Sequence, residues 1–148
     1  MSLEIDILSD VRLKSISEWQ DALDREGFPL RLTDDKDFWE GSGFWPASLE
    51  QKSTGFERYH IAFQELVENT YGVQFDREWK YVLALMYRGD VNEMMAALMA
   101  AIAYARATGG IVFEAESGRF LTASEAREVL EENKRDLPFF EQDIRSGS

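Results

Sequence analysis

The hydrophobic pattern at the start of the chain predicts a strand followed by a helix. Residues 3–8 alternate apolar and polar side chains, which is the period of a half-buried strand. Ser15 or Ser17 can then cap a helix that Gly27 ends. The apolar face of this helix carries Ile16, Trp19, Ala22 and Leu23. A short strand at residues 29–33 should follow, and its proline favours an edge or a first position.

The middle of the chain predicts a hairpin and a short helix. Residues 44–49 and 55–61 have the composition of strands and are separated by the turn-like residues 50–54. The second segment is ambiguous, because its apolar residues also fit a helical stripe. We expect strand to about Ile61 and helix from about Ala62 to Asn69.

The strongest pattern lies between Trp79 and Glu132. Residues 79–88 are largely apolar on both faces, which is typical of a central strand. Asp90 should cap a helix over residues 91–107, and this helix should be the most buried because it is apolar nearly all round. A strand at residues 111–115 and a short return strand lead to a last helix, which a Thr122–Glu125 capping box opens.

This order of elements predicts an α+β fold in a single domain over residues 1–145. The strand, helix and strand between residues 79 and 115 form a C-terminal βαβ-like unit, whereas the hairpin in the middle argues against an all-parallel sheet. We therefore expect one mixed β-sheet with helices mainly on one face. Residues 146–148 are interpreted as a disordered tail or a cloning scar.

Composition and charge narrow the classes of protein. Of the 148 residues, 45% are hydrophobic, enough for a sizeable core. The net charge of −12 disfavours nucleic acid and anionic membranes as partners but permits a basic protein partner. The lack of cysteine excludes disulfides and thiolate metal sites. No export signal and no apolar run of membrane length is visible, so we expect a cytoplasmic protein.

No catalytic signature accompanies this scaffold. His60 is the only histidine, and no Gly-x-Ser-x-Gly elbow is present to partner it. Glu114 and Glu116 would share one face of their strand, but nothing else marks a sugar-cleaving site. The sequence therefore predicts no catalytic residue, no metal ligand and no cofactor.

The loop around residues 34–45 is the best candidate for a binding surface. Its acidic residues miss the spacing of a calcium-binding loop. Large aromatic residues flank Gly41–Gly43, and protein interfaces favour such side chains, although the same residues could instead cover the core. The predicted binding residues are Asp34, Asp35, Asp37, Phe38, Trp39, Phe44 and Trp45.

Several short segments together resemble a group of small uncharacterised bacterial proteins. The resemblance rests on Ser17-Glu-Trp-Gln-Asp-Ala-Leu leading to Gly27-Phe-Pro-Leu, on Ser42-Gly-Phe and Thr54-Gly-Phe-Glu, and on Thr108-Gly-Gly-Ile-Val-Phe with Gly118 after it. These motifs are helix faces, glycine stops and turns. The resemblance implies a bacterial cytoplasmic setting and brings no catalytic residues.

Three functional hypotheses follow from the sequence. The first is a non-enzymatic acidic interaction protein, of which an immunity-type protein that neutralises a basic toxin is one version. The second is a small-molecule-binding protein or enzyme with a pocket near the 38–45 loop, where Glu57, Arg58, His60 or Glu114 would supply polar contacts. The third is a structural subunit of a homo-oligomer.

Overall fold

Seven strands and four helices make up the part of the chain that the structure describes. A computed structural model describes residues 3–34 and 41–146, with side chains as far as Arg135. The strands are β1 (Leu3–Ser9), β2 (Leu30–Leu32), β3 (Gly43–Leu49), β4 (Lys52–Ile61), β5 (Tyr81–Tyr87), β6 (Ile111–Glu114) and β7 (Arg119–Leu121). The helices are α1 (Ile16–Glu26), α2 (Phe63–Asn69), α3 (Val91–Thr108) and α4 (Ala123–Ser146).

All seven strands belong to one sheet in the order β2-β3-β4-β5-β1-β6-β7. The predicted α+β class is confirmed, but the pairings between the described strands are all antiparallel, so the sheet is not mixed. The first strand explains the difference. β1 lies between β5 and β6 and runs antiparallel to both, so the strands that α3 connects point the same way without touching.

One face of the sheet carries the main core. Helices α1, α3 and α4 pack on this face, where side chains such as Ile5 and Ile7 of β1 meet them. As predicted, α3 is the most buried helix, and every residue from Met95 to Ala105 is buried. Its many alanines let the helix backbone approach the sheet closely.

The opposite face of the sheet is only partly covered. A second apolar cluster forms here around Leu8, Leu66, Val82 and Phe113. It lies under α2 and the segment that follows it, and the ring of Phe75 contacts those of Phe63, Phe113 and Phe120. Because residues i and i+2 of a strand share a face, Glu4 and Asp6 lie on this same face as Leu8. The uncovered part of this face is where a cleft lies.

Helix ends follow the predicted caps closely. The side chains of Ser15 and Asp90 accept hydrogen bonds from the backbone N–H three residues on, at 3.1 Å each. The Thr122–Glu125 box is fully reciprocal, with bonds of 3.0 and 3.1 Å. Gly27 ends α1 in the left-handed conformation that residues with a Cβ avoid. These helix boundaries were therefore readable from the sequence alone.

Two segments differ from the sequence prediction. The hairpin between β3 and β4 turns at Glu50 and Gln51 alone, both with positive φ, rather than over residues 50–54. Two left-handed residues in succession match the twist of the paired strands, which is why so short a turn closes this hairpin. Helix α4 continues to Ser146, where a tail was predicted to begin. No described helix is both long enough and apolar enough to cross a bilayer.

Candidate functional site

The structure divides the predicted loop site. Asp35, Asp37, Phe38 and Trp39 lie outside the described residues. Asp34 is exposed at the end of the described segment before them. Phe44 and Trp45 are neighbours in β3 and therefore point to opposite faces of the sheet. The predicted binding surface stays a prediction, but these two aromatic residues cannot both belong to it.

Trp45 is a core residue, which corrects its assignment to a binding surface. Its side chain is fully buried and meets the ring of Trp19 edge to face at 5.3 Å. The indole N–H donates to the carbonyl oxygen of Thr33 at 3.1 Å, and the guanidinium of Arg58 lies 4.7 Å from the ring centre. The side chain of Trp45 therefore anchors β3 to the core and presents no surface to a partner.

Phe44 is the part of the loop prediction that does face solvent. Half of its side chain is exposed. Its ring lies over Gly55 of the next strand so closely that a Cβ there would come within 2.5 Å of the ring. Shallow depressions of about 350 and 380 Å³ lie beside it. Phe44 is thus fixed in place by glycine packing and remains available at the surface.

The polar residues expected to line a pocket near this loop do not come together. Glu57 borders one of the depressions beside Phe44. Arg58 and His60 lie on the opposite, helix-covered face, where His60 approaches Arg12 at 3.5 Å. Glu114 is at the far side of the sheet, where it accepts from Arg119 at 2.9 Å. Glu116 lies beyond the end of β6, in the turn, so the two glutamates do not share a strand face as predicted.

A cleft of about 800 Å³ lies on the open face of the sheet. Its floor is formed by β1, β4 and β5, and its walls by α2 with residues 70–73 on one side and the β6–β7 turn on the other. The walls meet at one end, where a Cβ on Gly118 would lie 3.2 Å from Val73. We call this feature the acidic cleft, because its charged lining residues are Glu4, Glu65 and Glu116.

Asp6 lies in β1 directly behind the floor of the acidic cleft and is not one of its described lining residues. In the sheet it pairs with Ala84, whose small side chain lines the cleft, and with Phe113 of the apolar cluster. Its side chain is completely buried. Among the described residues, no N–H or hydroxyl group donates a hydrogen bond to either carboxyl oxygen of Asp6. A carboxyl group buried in this way is costly to ionise, because nothing replaces the water it has lost.

Two neighbouring glutamates add to this cost. Burial, a side-chain hydrogen bond with Glu4 and the negative charges of Glu4 and Glu116 together raise the pKa of Asp6 to about 9, and burial is the largest cause. Two carboxyl groups can hydrogen-bond only when one holds a proton, because ionised carboxylates only accept. The three groups are also linked through the backbone, since the Glu4 N–H donates to Glu116 at 3.0 Å. Near neutral pH, the Asp6 carboxyl therefore keeps its proton beside Glu4.

The rim of the acidic cleft offers aromatic and hydroxyl groups. Tyr71 is fully exposed at the edge of the α2 wall. Tyr59 reaches the cleft from β4 and donates from its hydroxyl to Glu57 at 2.9 Å, a bond that raises the pKa of Tyr59. Aromatic rings beside carboxylates are favourable surroundings for an organic cation. No cluster of three or more metal-binding side chains occurs among the residues that the structure describes.

Sequence reasoning missed the Glu4–Asp6 pair. The alternation of residues 3–8 was interpreted as one buried and one solvated face, which placed both acids in solvent. The available signal was Leu8, which continues the Glu4–Asp6 face and is completely buried. An apolar residue in that position indicates that something covers part of the polar face.

Comparisons with known proteins suggest no function for the acidic cleft. Comparison of the chain with protein-family models, with curated proteins and with solved structures finds no match. The function must therefore be argued from the acidic cleft itself.

Proposed function

We propose that this protein is a non-enzymatic interaction protein that binds a basic protein partner through the acidic cleft. The observation that carries the proposal is the cleft lining, in which the charged residues among those described are Glu4, Glu65 and Glu116, with no described lysine or arginine. A concave site with one sign of charge focuses its electrostatic field and attracts groups of the opposite sign. The net charge of −12 acts in the same direction over longer distances.

The dimensions of the acidic cleft favour an anchor pocket within a larger contact. A volume of about 800 Å³ holds a few side chains, whereas a stable protein complex buries a much wider surface. Binding energy in such complexes is concentrated in a few side chains that enter pockets. We therefore place one or two cationic side chains of the partner in the cleft, with the surrounding sheet face and α2 completing the contact.

Tyr71 supports this assignment from the rim. A fully exposed aromatic side chain beside carboxylates can stack on the methylene stem or the cationic head of a lysine or arginine. Tyrosine is also one of the residues that protein interfaces favour. The apolar floor residues Ala84 and Met86 would contact the aliphatic part of the same side chain.

The proposal is tested by titrating the protein with an octalysine peptide and measuring affinity by calorimetry. We expect binding that weakens as sodium chloride is raised from about 50 to about 200 mM, because exposed charges are screened. The double variant Glu4→Gln, Glu116→Gln should bind about tenfold more weakly, since it removes two carboxylates from the cleft while keeping their size.

The matched control removes the same charge elsewhere. Asp21→Asn with Glu132→Gln neutralises two exposed acids on α1 and α4, outside the acidic cleft. This variant should bind octalysine with an affinity within about twofold of the original. Equal weakening by both double variants would mean that net charge alone attracts the peptide, and the cleft would lose its assigned role.

The other two hypotheses from the sequence stay predictions. A small-molecule pocket near the 38–45 loop depends in part on residues outside the described ranges, and homo-oligomer formation is a property that one chain does not report. Neither has an observation in its favour comparable to the acidic cleft.

A further inference from the structure

We propose that the Glu4–Asp6 pair is a subsite for the ammonium group of a partner lysine, and that binding releases the proton that the pair holds. This inference rests on the proposed function and names the group that the acidic cleft recognises.

The geometry that carries the proposal is a buried carboxyl group without an N–H or hydroxyl donor, directly behind the residues that form the floor of the cleft. Asp6 is completely buried, and among the described residues no ordinary donor reaches either of its oxygens. Its neighbour across the strand pair, Ala84, lines the cleft, and so do Glu4 and its cross-strand partner Met86. A cation that enters between Ala84 and Glu4 would supply the donor that Asp6 lacks.

In the part of the chain that the structure describes, the groups that face Asp6 include no cation. Its own strand contributes Glu4, and the β6–β7 turn contributes Glu116. Strand β4 contributes Tyr59, whose hydroxyl is already bonded to Glu57, and α2 contributes Glu65 at the wall. Strands β5 and β6 present Ala84 and Phe113, which are uncharged. Without a ligand, holding a proton is therefore the way in which the pair avoids two adjacent negative charges.

Binding exchanges one positive charge for another. The lysine ammonium approaches Glu4 and Asp6, the O–H bond of the protonated carboxyl breaks, and the proton passes to the buffer. The new carboxylate then accepts an N–H from the ammonium. The subsite carries one net negative charge before the exchange, and with two carboxylates and one ammonium it carries the same charge afterwards. A compact ammonium on a thin stem suits a narrow floor better than a planar guanidinium does.

Calorimetry with octalysine in phosphate, HEPES and Tris at one pH near 7.5 measures this exchange. The observed binding enthalpy should change linearly with the ionisation enthalpy of the buffer, with a slope that corresponds to about one proton released per peptide. The variant Asp6→Asn keeps the size of the side chain and lacks the proton, so its slope should fall to about zero. Glu4→Gln provides a second variant, which should also reduce the slope because it removes the pair.

Each outcome of this experiment decides something. Binding of octalysine with no buffer dependence overturns the proton exchange and leaves the proposed function in place. An unchanged slope in Asp6→Asn assigns the proton to another group and overturns the subsite. Absence of any octalysine binding contradicts the proposed function as well. A parallel titration uses spermine in place of octalysine. Tighter binding of spermine with release of the same proton would overturn the assignment of a protein lysine and identify a free polyamine as the ligand.

Discussion

Replacing Trp19 with alanine should lower the free energy of unfolding by about 3–5 kcal/mol, the largest effect expected from a single core residue in this chain. Trp19 lies on the buried face of α1 and is completely enclosed. Its ring contacts Trp45 and Tyr104 edge to face, each at 5.3 Å. Its N–H donates to the carbonyl oxygen of Ala100 at 3.0 Å. Alanine would leave a cavity where α1, α3 and the sheet meet.

Urea denaturation followed by circular dichroism measures this loss. Tyr71→Ala is the matched control, because it also truncates a large aromatic side chain but one that is fully exposed. Its unfolding free energy should change by less than about 0.5 kcal/mol. Similar losses in the two variants would contradict the described packing around Trp19, since that packing predicts that only the buried ring contributes.

Replacing Asp6 with asparagine should change the pH dependence of stability. The folded state holds the pKa of Asp6 at about 9, whereas the value for an exposed aspartate is 3.8. Between these pH values the unfolded chain releases the proton and the folded protein keeps it, so unfolding becomes easier as the pH rises. The contribution of Asp6 to stability is therefore complete below about pH 4 and is lost progressively toward pH 9, with a slope that approaches about 1.4 kcal/mol per pH unit.

Urea unfolding of the original protein and of Asp6→Asn at pH 5 and pH 7 measures this effect as a difference in unfolding free energy. Between pH 5 and pH 7 the free energy of unfolding of the original protein should fall by about 2–3 kcal/mol relative to that of Asp6→Asn. The titration of all other groups is common to both proteins and cancels in this difference. Asp10→Asn is the control, because Asp10 directly follows β1 and has an aspartate side chain that is partly exposed. A hydrogen bond from Arg77 lowers the pKa of Asp10, so this group stays ionised in the folded and unfolded states above pH 5. The difference in unfolding free energy between the original protein and Asp10→Asn should therefore be the same at pH 5 and pH 7. If the free energy of unfolding depended on pH in the same way for the original protein and Asp6→Asn, Asp6 would be ionised in the folded state and the prediction would be wrong.

Local structure was largely predictable from the sequence because local chemistry decides it. Ser15, Asp90 and Thr122 act as caps, and Gly27 ends its helix, through groups only a few residues apart. The same holds for the buried α3, whose composition leaves it no exposed face. These features need no knowledge of the strand order.

The strand order and the site could not be predicted, because both depend on contacts between distant parts of the chain. The first strand inserts between β5 and β6, and this insertion makes the sheet antiparallel and brings Glu4 beside Glu116. The burial of Asp6 likewise depends on neighbours far along the chain, such as Ala84 and Phe113. The pattern along β1 indicates which side chains share a face, and Leu8 indicates that part of this face is covered, but the pattern does not indicate which residues cover it.

The most direct test of the acidic cleft as the binding site is a ¹H–¹⁵N chemical-shift map recorded during octalysine titration at low salt. We predict that the largest shifts fall on residues 4–6, 59–61, 65–73, 84–86 and 115–118, the segments that form or adjoin the floor, walls and rim of the cleft. Residues on the exposed faces of α1 and α4 should shift little. Shifts spread evenly over the acidic surface, or centred on those two helices, would contradict the assignment of the cleft as the binding site.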